Sequence, residues 1–334
     1  RRLFQSVDQF HADELPTKAG IDKLDKLRFR DFLRDVYKQP WPDSSVELLT
    51  LLQNMNLATD DGVLNLAGVL LFAERPEWVK PQFIVKAIRY PGNAIHVSEY
   101  LDTEDFSGPL PEIFAGAMAF VVRNLRKVQA GQGVNAPGVP EIPPVVFEEL
   151  LVNALVHRDY LVSAPIRLFI FDNRIEIVSP GHLPNNLTVP KIRAGNSNIR
   201  NPILVSYIAK GLLPYRGLGS GIKRALEDWP EIDFTDDRDG CLFTATVHRK
   251  PGVSSAEPEA GSPKSSGKSS GKSSGKTGTR ILEMLQKTPG MTIPDLAEAL
   301  TISTRAVEKQ IMRLRNEGRL RRIGPAKGGH WEVP

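Results

Sequence analysis

The chain has 334 residues, of which 41% are hydrophobic and 25% charged, so we expect two or three globular domains. No apolar run approaches the roughly 20 residues that span a bilayer, which argues against a membrane protein. The single cysteine, Cys241, excludes an internal disulfide framework and is expected in the core of a strand.

The net charge of +4 is unevenly distributed along the chain. Residues 1–250 contain 29 Lys and Arg against 31 Asp and Glu, whereas residues 251–334 contain 14 against 8. A basic bias at one end is typical of a segment that binds nucleic acid. The chain starts with Arg1 and shows no secretory signal, so we expect a cytoplasmic protein.

The first part of the chain shows few chemical motifs. Helices are predicted over residues 22–39, 46–55 and 109–128, and a strand over residues 83–90. Glycine and proline are frequent from residue 131 to residue 144, which indicates a boundary near residue 140. We interpret residues 1–20 as the remnant of an upstream domain and residues 21–140 as an α+β connecting region.

The next region, residues 141–250, carries the first candidate site. Apolar spacing predicts a helix over residues 147–158, on which Glu149 and Asn153 share a face because they are four residues apart. A carboxylate in this position can activate a water molecule, and an amide oxygen can hold Mg²⁺. The following His157-Arg158-Asp159 stretch either ends the helix or belongs to the site.

A hairpin over residues 166–178 and a turn at Ser179-Pro180-Gly181 precede a glycine-rich loop. The loop contains Gly217, Gly219, Ser220 and Gly221 and leads into a helix. Glycines let backbone amides approach a phosphate, and a helix N-terminus adds positive potential. The loop lacks the spacing of a dinucleotide-binding fingerprint, and the Gly-Lys pairs farther on lack that of a P-loop.

The order of these motifs resembles the Bergerat (GHKL) ATP-binding fold. Four stretches resemble the family of RecG-related transcriptional regulators more closely: residues 150–160, 175–184, 200–202 and 216–222. In that family the ATP-binding domain follows a Schlafen/AlbA-like domain, which is largely missing here, and a winged helix frequently ends the chain. The resemblance implies an α/β chain: an α+β connecting region, a Bergerat-like α+β sandwich over residues 141–250, and a winged helix.

The resemblance also implies roles for individual residues, with ATP and Mg²⁺ as cofactors. Glu149 is expected to be the catalytic base and Asn153 the Mg²⁺ ligand. Gly217, Gly219, Ser220 and Gly221 are expected to cradle the phosphates, with a lid over residues 185–216. Ser179 and Gly181 are expected beside the adenine, although the wider superfamily has an aspartate where this chain has Ser179.

A Ser/Gly/Lys repeat makes residues 251–279 a flexible linker, because it offers almost no apolar side chains to bury. Residues 280–334 then predict three helices and a hairpin, the pattern of a winged helix-turn-helix domain. Thr292 is expected to cap the second helix, with Asp295 completing a near capping box.

Basic residues cluster on the two elements of this domain that would contact DNA, the third helix and the hairpin. We expect contacts to double-stranded DNA from Arg305, Lys309, Arg313, Arg315, Arg321, Arg322 and Lys327. The alternative is a winged helix that serves only dimerisation or protein contact.

Three functions are compatible with these motifs. The leading hypothesis is an ATP-binding, DNA-binding transcriptional regulator in which the nucleotide site is coupled to the winged helix. The second is an enzyme with weak ATP hydrolysis in nucleic-acid processing or defence. The third is a pseudo-ATPase that serves as a homodimerisation scaffold.

Overall fold

The computed structural model describes residues 11–96, 98–129, 137–215 and 220–250, together with parts of the C-terminal region. Those parts are residues 281–282, 284–286, 288–300, 307–308, 310–311, 314, 319–323 and 330–333. The chain divides into two compact units, residues 1–254 and 255–334, which we call the body and the C-terminal unit. The predicted linker, residues 251–279, lies outside the described residues. None of the described helices combines the length and apolarity needed to cross a membrane.

The body is a mixed α/β structure around a six-stranded sheet. Its strands are β1 (Pro16–Gly20), β2 (Val63–Asn65), β3 (Val85–Arg89), β4 (Asp102–Phe106), β5 (Lys127–Val128), β6 (Val139–Pro140), β7 (Ile166–Ile170), β8 (Arg174–Pro180), β9 (Ile232–Asp237) and β10 (Leu242–His248). The six-stranded sheet has the order β4-β3-β7-β8-β10-β9, and only β3 and β7 pair in parallel. It therefore draws strands from both sides of residue 140.

Short helices alternate with these strands. They are α1 (Lys26–Phe32), α2 (Ser45–Asn54), α3 (Leu66–Phe72), α4 (Pro76–Val79), α5 (Leu110–Asn124), α6 (Pro144–His157), α7 (Val189–Arg193), α8 (Pro202–Tyr207) and α9 (Gly221–Asp228). Side-chain caps fix several of their starts. The Asp25 carboxylate accepts from the Arg28 amide at 3.0 Å, so α1 begins at Lys26 and not at the predicted residue 22.

Helix α6 has the central position in the body. Nine of its side chains are buried, and it contacts α5, α9 and strand β8. Because polar side chains are rarely buried unless they have a partner or a function, the buried Glu149 on this helix is an exception that calls for an explanation.

Two further expectations were wrong in detail. The helix predicted over residues 109–128 ends at Asn124, because Lys127–Val128 pair with Val139–Pro140 as a two-stranded ribbon. Cys241 lies in the turn between β9 and β10 and not in a strand core. It has a φ of 53° and is only half-buried, and its carbonyl accepts from the Gly181 amide at 2.7 Å.

The C-terminal unit has its own core, to which Leu285, Leu296, Ile311 and Trp331 contribute. Its described elements include helix α10 (Ile293–Leu300) and an antiparallel pair, β11 (Arg321–Ile323) and β12 (His330–Glu332). The capping box is confirmed. The Thr292 amide donates to Asp295 Oδ2 at 2.9 Å, and the Asp295 amide donates to Thr292 Oγ1 at 3.4 Å.

Candidate functional site

A cleft opens beside helix α6, between the end of β8, the segment after residue 185 and the start of α9; it holds about 990 Å³ when the space open to solvent is included. Six residues predicted to handle nucleotide line it: Glu149, Asn153, Ser179, Gly181, Ser220 and Gly221. Gly217 and Gly219 lie outside the described residues.

Glu149 occupies one end of the cleft and is 6% exposed. Arg224, one turn into helix α9, binds its Oε1 atom through Nε at 2.9 Å and also through Nη2. A Cβ atom on Gly221 would collide with Oε2 of the same carboxylate. Since φ at Gly221 is not positive, glycine is required there because it lets the carboxylate approach the backbone.

Asn153 lies one turn after Glu149 on the same helix. Its Nδ2 donates to the Glu149 carbonyl at 2.6 Å. With the amide nitrogen bound to the backbone, the remaining polar atom of the side chain is Oδ1, an oxygen of the kind that Mg²⁺ prefers. The donor chemistry of this end of the cleft therefore fits the predicted metal ligand.

The cleft wall near the glycine-rich loop is fixed by His157, a further turn along helix α6. Its Nε2 lies 3.1 Å from the Tyr215 hydroxyl. Burial, together with the charge of Arg200, lowers the pKa of His157 to about 4, so the imidazole is neutral at pH 7. Burial and the negative charge of Glu149 raise the pKa of Tyr215, which keeps its hydroxyl protonated.

The opposite end of the cleft is built around Gly181, whose φ is 104°. A Cβ atom there would collide with the Arg200 guanidinium and with Asp159. The Ser179 hydroxyl donates to the Ala154 carbonyl at 3.2 Å, which ties the end of β8 to helix α6. Ser179 therefore has a packing role as well as a place in the cleft.

Arg200 connects the two sides of this end. Its Nη1 donates to the His157 carbonyl at 3.1 Å and its Nη2 to the His182 carbonyl at 2.6 Å. The side chain has no carboxylate within ion-pair distance among the described residues, and its Nε is buried without a hydrogen-bond partner. Arg200 is only 8% exposed, and this burial lowers the pKa of its guanidinium.

Two residues near the start of the described chain, His11 and Asp13, contact the segment that contains Arg200 and the beginning of α8. Asp13 is fully buried, and its Oδ2 accepts from the Leu204 amide at 3.0 Å in the first turn of α8. His11 Nδ1 lies 3.1 Å from the Arg200 carbonyl. Burial raises the pKa of Asp13 to about 6, although the bonds from α8 act in the opposite direction.

Apolar side chains complete the wall formed by β9 and β10. The rings of Phe234 and Phe243 stack with centroids 5.9 Å apart and planes at 18°, and both residues line the cleft. Such flat apolar surfaces suit an aromatic ligand group.

Sequence reasoning missed Arg224 as a site residue, because a charged residue on an amphipathic helix is usually a solvated one. It left His157, Arg158 and Asp159 open between two roles. The structure places His157 in the cleft wall, whereas Arg158 donates to the Val162 and Ala164 carbonyls and has a packing role. Asp159 accepts from the Leu161 amide.

Of the predicted DNA contacts, Arg321 and Arg322 lie on strand β11, where Arg321 is exposed. Arg305, Lys309, Arg313, Arg315 and Lys327 lie outside the described residues. The structure therefore gives the strand that carries two of the seven residues.

Comparisons with known proteins identify two regions of the chain. Residues 163–237 match the family described as "Putative ATP-dependent DNA helicase recG C-terminal". Residues 276–321 match the family described as "Winged helix-turn-helix DNA-binding". These matches confirm the predicted pairing of an ATPase-like region with a winged helix-turn-helix region.

A solved structure, that of the DIP2311 protein from Corynebacterium diphtheriae, is similar over 99% of this chain, with 21% identity and a TM-score of 0.54. At that identity the similarity shows the fold alone. The chain spans 66% of the length of that protein. A comparison with curated proteins found no match.

Proposed function

We propose that this chain is an ATP-binding, DNA-binding transcriptional regulator. The body binds the nucleotide in a Bergerat-type site, and the C-terminal unit binds double-stranded DNA through its winged helix. One observation carries the nucleotide site: six residues chosen from motifs as far apart as positions 149 and 221 line a single cleft. The region that matches the RecG-like family, residues 163–237, overlaps that cleft.

The chemistry of the cleft lining supports Mg-ATP as the ligand. Gly181 and Gly221 let the Arg200 guanidinium and the Glu149 carboxylate lie close to the backbone of the cleft. Ser220 precedes helix α9, and its hydroxyl makes no capping bond to that helix. A bound nucleotide would supply the phosphate charge that a helix N-terminus attracts.

In this proposal, different residues contact the metal ion, the phosphates and the adenine of the nucleotide. Asn153 would hold Mg²⁺ through Oδ1, and Gly217, Gly219, Ser220 and Gly221 would surround the phosphates. The adenine base of the nucleotide would lie near Ser179 and Gly181, against the stacked rings of Phe234 and Phe243. Because this chain has Ser179 in place of the aspartate, recognition of the base would depend more on these apolar surfaces than on a carboxylate.

Nucleotide binding is tested by thermal unfolding with and without Mg-ATP. At 100 times its dissociation constant, a ligand stabilises the folded state by about 2.7 kcal/mol, so we expect a clear rise in the Tm. Asn153→Ala should lose most of this rise, whereas Asn54→Ala, an exposed residue that does not line the cleft, should keep it. Absence of any rise in the unaltered protein would disprove the proposal.

DNA binding is tested separately by reversing one charge on the described wing strand. Arg321→Glu should weaken binding at every DNA sequence and reduce the slope of log K against log salt by about 1 if Arg321 contacts a phosphate. Lys26→Glu makes the same charge change on an exposed position of the body and should leave the slope unchanged. Equal slopes for both variants would argue for the protein-contact alternative.

Hydrolysis of ATP defines the second candidate function. A buried Glu149 one turn before Asn153 favours it, since these residue types can activate water and hold a metal ion. Steady-state phosphate release that disappears in Glu149→Gln would establish the enzyme. Binding without release would leave the regulator, or the dimerising pseudo-ATPase, as the function.

A further inference from the structure

The contact between Glu149 and Arg224 bears directly on whether this site hydrolyses its nucleotide. The two residues are 75 positions apart, and the guanidinium binds Oε1 of the carboxylate through two nitrogens. The two side chains differ in accessibility, since the side chain of Arg224, taken alone, is 37% exposed and that of Glu149 only 7%. Glu149, the candidate general base, is therefore held in place, and its partner Arg224 lies nearer the solvent.

One oxygen of Glu149 is occupied in this arrangement, and the other is crowded by the backbone. Oε1 accepts from Nε and Nη2 of Arg224. Oε2 lies against Gly221 so closely that no Cβ atom would fit between them. A general base must come within hydrogen-bond reach of the proton that it removes. Here Oε1 is already bound to Arg224, and Oε2 lies close to Gly221.

From this geometry we infer that Arg224 is a positioning residue that holds Glu149 away from catalysis, so that the site binds its nucleotide and hydrolyses it slowly. The inference rests on the proposed nucleotide site and assigns a role to a residue that no motif pointed to. Arg224 can leave the pair because its side chain reaches solvent, whereas the side chain of Glu149 is nearly buried.

The reaction that this contact slows is the attack of one water molecule on the terminal phosphorus of ATP. The water oxygen forms the new P–O bond; one of its two protons passes to the Glu149 carboxylate, and the other stays on the phosphate that is formed. The bond from phosphorus to the bridging oxygen breaks, which gives ADP and inorganic phosphate. Oε1 becomes available to accept that proton when Arg224 releases it.

Steady-state phosphate release by the full chain tests the inference. General-base catalysis accelerates a reaction by about 10²- to 10⁴-fold. If Arg224→Gln restores even part of that acceleration, kcat should rise about tenfold. KM should stay within about twofold, because the inference gives Arg224 no role in binding ATP. Arg224→Lys should keep kcat near that of the unaltered protein, since an ammonium group can still pair with Oε1.

Two further variants separate the inference from general damage to the fold. Lys223→Gln removes the same charge from the neighbouring exposed position and should leave kcat unchanged. Adding Glu149→Gln to Arg224→Gln should abolish the gain. Thermal unfolding shows whether each variant is folded.

The outcomes distinguish this inference from the proposed function. If Mg-ATP stabilises the protein but Arg224→Gln leaves kcat unchanged or lowers it, the inference is overturned and the nucleotide site stands. A lower kcat would show instead that Arg224 acts on the phosphates. If neither the unaltered protein nor Arg224→Gln binds ATP, both proposals fail.

Discussion

The body and the C-terminal unit hold their polar side chains in different ways. In the body, Glu149 pairs with a residue 75 positions away, and Asp13 binds an amide 191 positions away. In the C-terminal unit, Thr292 and Asp295 bind each other across three positions. These two buried contacts of the body therefore require the completed fold, whereas the capping box, like the local cap at Asp25, can form as soon as its own turn forms.

This difference has an energetic consequence. A polar group that is buried by distant segments loses its water, so removal of its partner costs about 1–3 kcal/mol for each unsatisfied group. An exposed local contact exchanges readily with water and contributes less. We expect the effects of substitutions to decrease from the buried contacts around the cleft to the exposed cap of α10.

Arg200→Met should have the largest effect, because it removes both donors that bind the His157 and His182 carbonyls. Leaving two part-buried carbonyls unsatisfied should lower the free energy of unfolding by about 4 kcal/mol. Chemical denaturation measures this change. Arg238→Met, an exposed arginine with a single surface ion pair, should change the stability by less than about 1 kcal/mol.

Equal stabilities for the two methionine variants would contradict the difference drawn between buried and exposed contacts. That result would mean that the cost of burying the Arg200 guanidinium cancels its hydrogen bonds. Arg200→Lys adds a finer test, because a lysine ammonium lacks the rigid fork that can reach both carbonyls. It should recover about half of the loss.

Asp13 should make stability depend on pH. Its pKa rises from 3.8 to about 6 on folding, so the stabilisation from its protonated form is complete below pH 3.8 and is lost as the pH rises to 6. Two pKa units correspond to about 3 kcal/mol. The free energy of unfolding of the unaltered protein, relative to Asp13→Asn, should fall by about that amount between pH 3.5 and pH 7.

The comparison with Asp13→Asn is needed because His157 acts in the opposite direction. Its pKa falls to about 4 on folding, so its contribution is complete above pH 6.5 and is lost as the pH falls to 4. Both proteins contain His157, and its effect cancels in the difference. A pH-independent difference would show that the Asp13 carboxyl titrates normally.

Gly221→Ala should lower the free energy of unfolding by about 2 kcal/mol, the usual cost of overpacking. In an ordinary helix the same change stabilises by about 0.5–1 kcal/mol. The sign therefore depends on the Glu149 carboxylate, which a Cβ atom at this position would meet. When Glu149→Ala is already present, Gly221→Ala should leave the free energy of unfolding unchanged or raise it. A double-mutant cycle measures that change of sign.

The same distinction explains which features the sequence could predict. Periodicity predicted helix α6, the hairpin of β7 and β8, and helix α10 with strands β11 and β12, since each pattern is complete within one segment. Motif types also predicted residues that meet in the cleft. Pairwise contacts were beyond sequence reasoning: nothing near Arg224 indicates that it will bind Glu149, and nothing near Asp13 points to Leu204. Those pairs depend on how distant segments pack.

Thr292→Ala should have the smallest effect of the four substitutions. It removes the Oγ1 acceptor for the Asp295 amide, a bond of 3.4 Å at an exposed helix start, and loss of an N-cap costs about 1 kcal/mol. Thr292→Ser keeps a hydroxyl acceptor and should restore most of that stability. The effect should be confined to unfolding of the C-terminal unit and leave Mg-ATP stabilisation of the body unchanged. A loss as large as that from Arg200→Met would show that the C-terminal unit depends on its polar contacts as strongly as the body does.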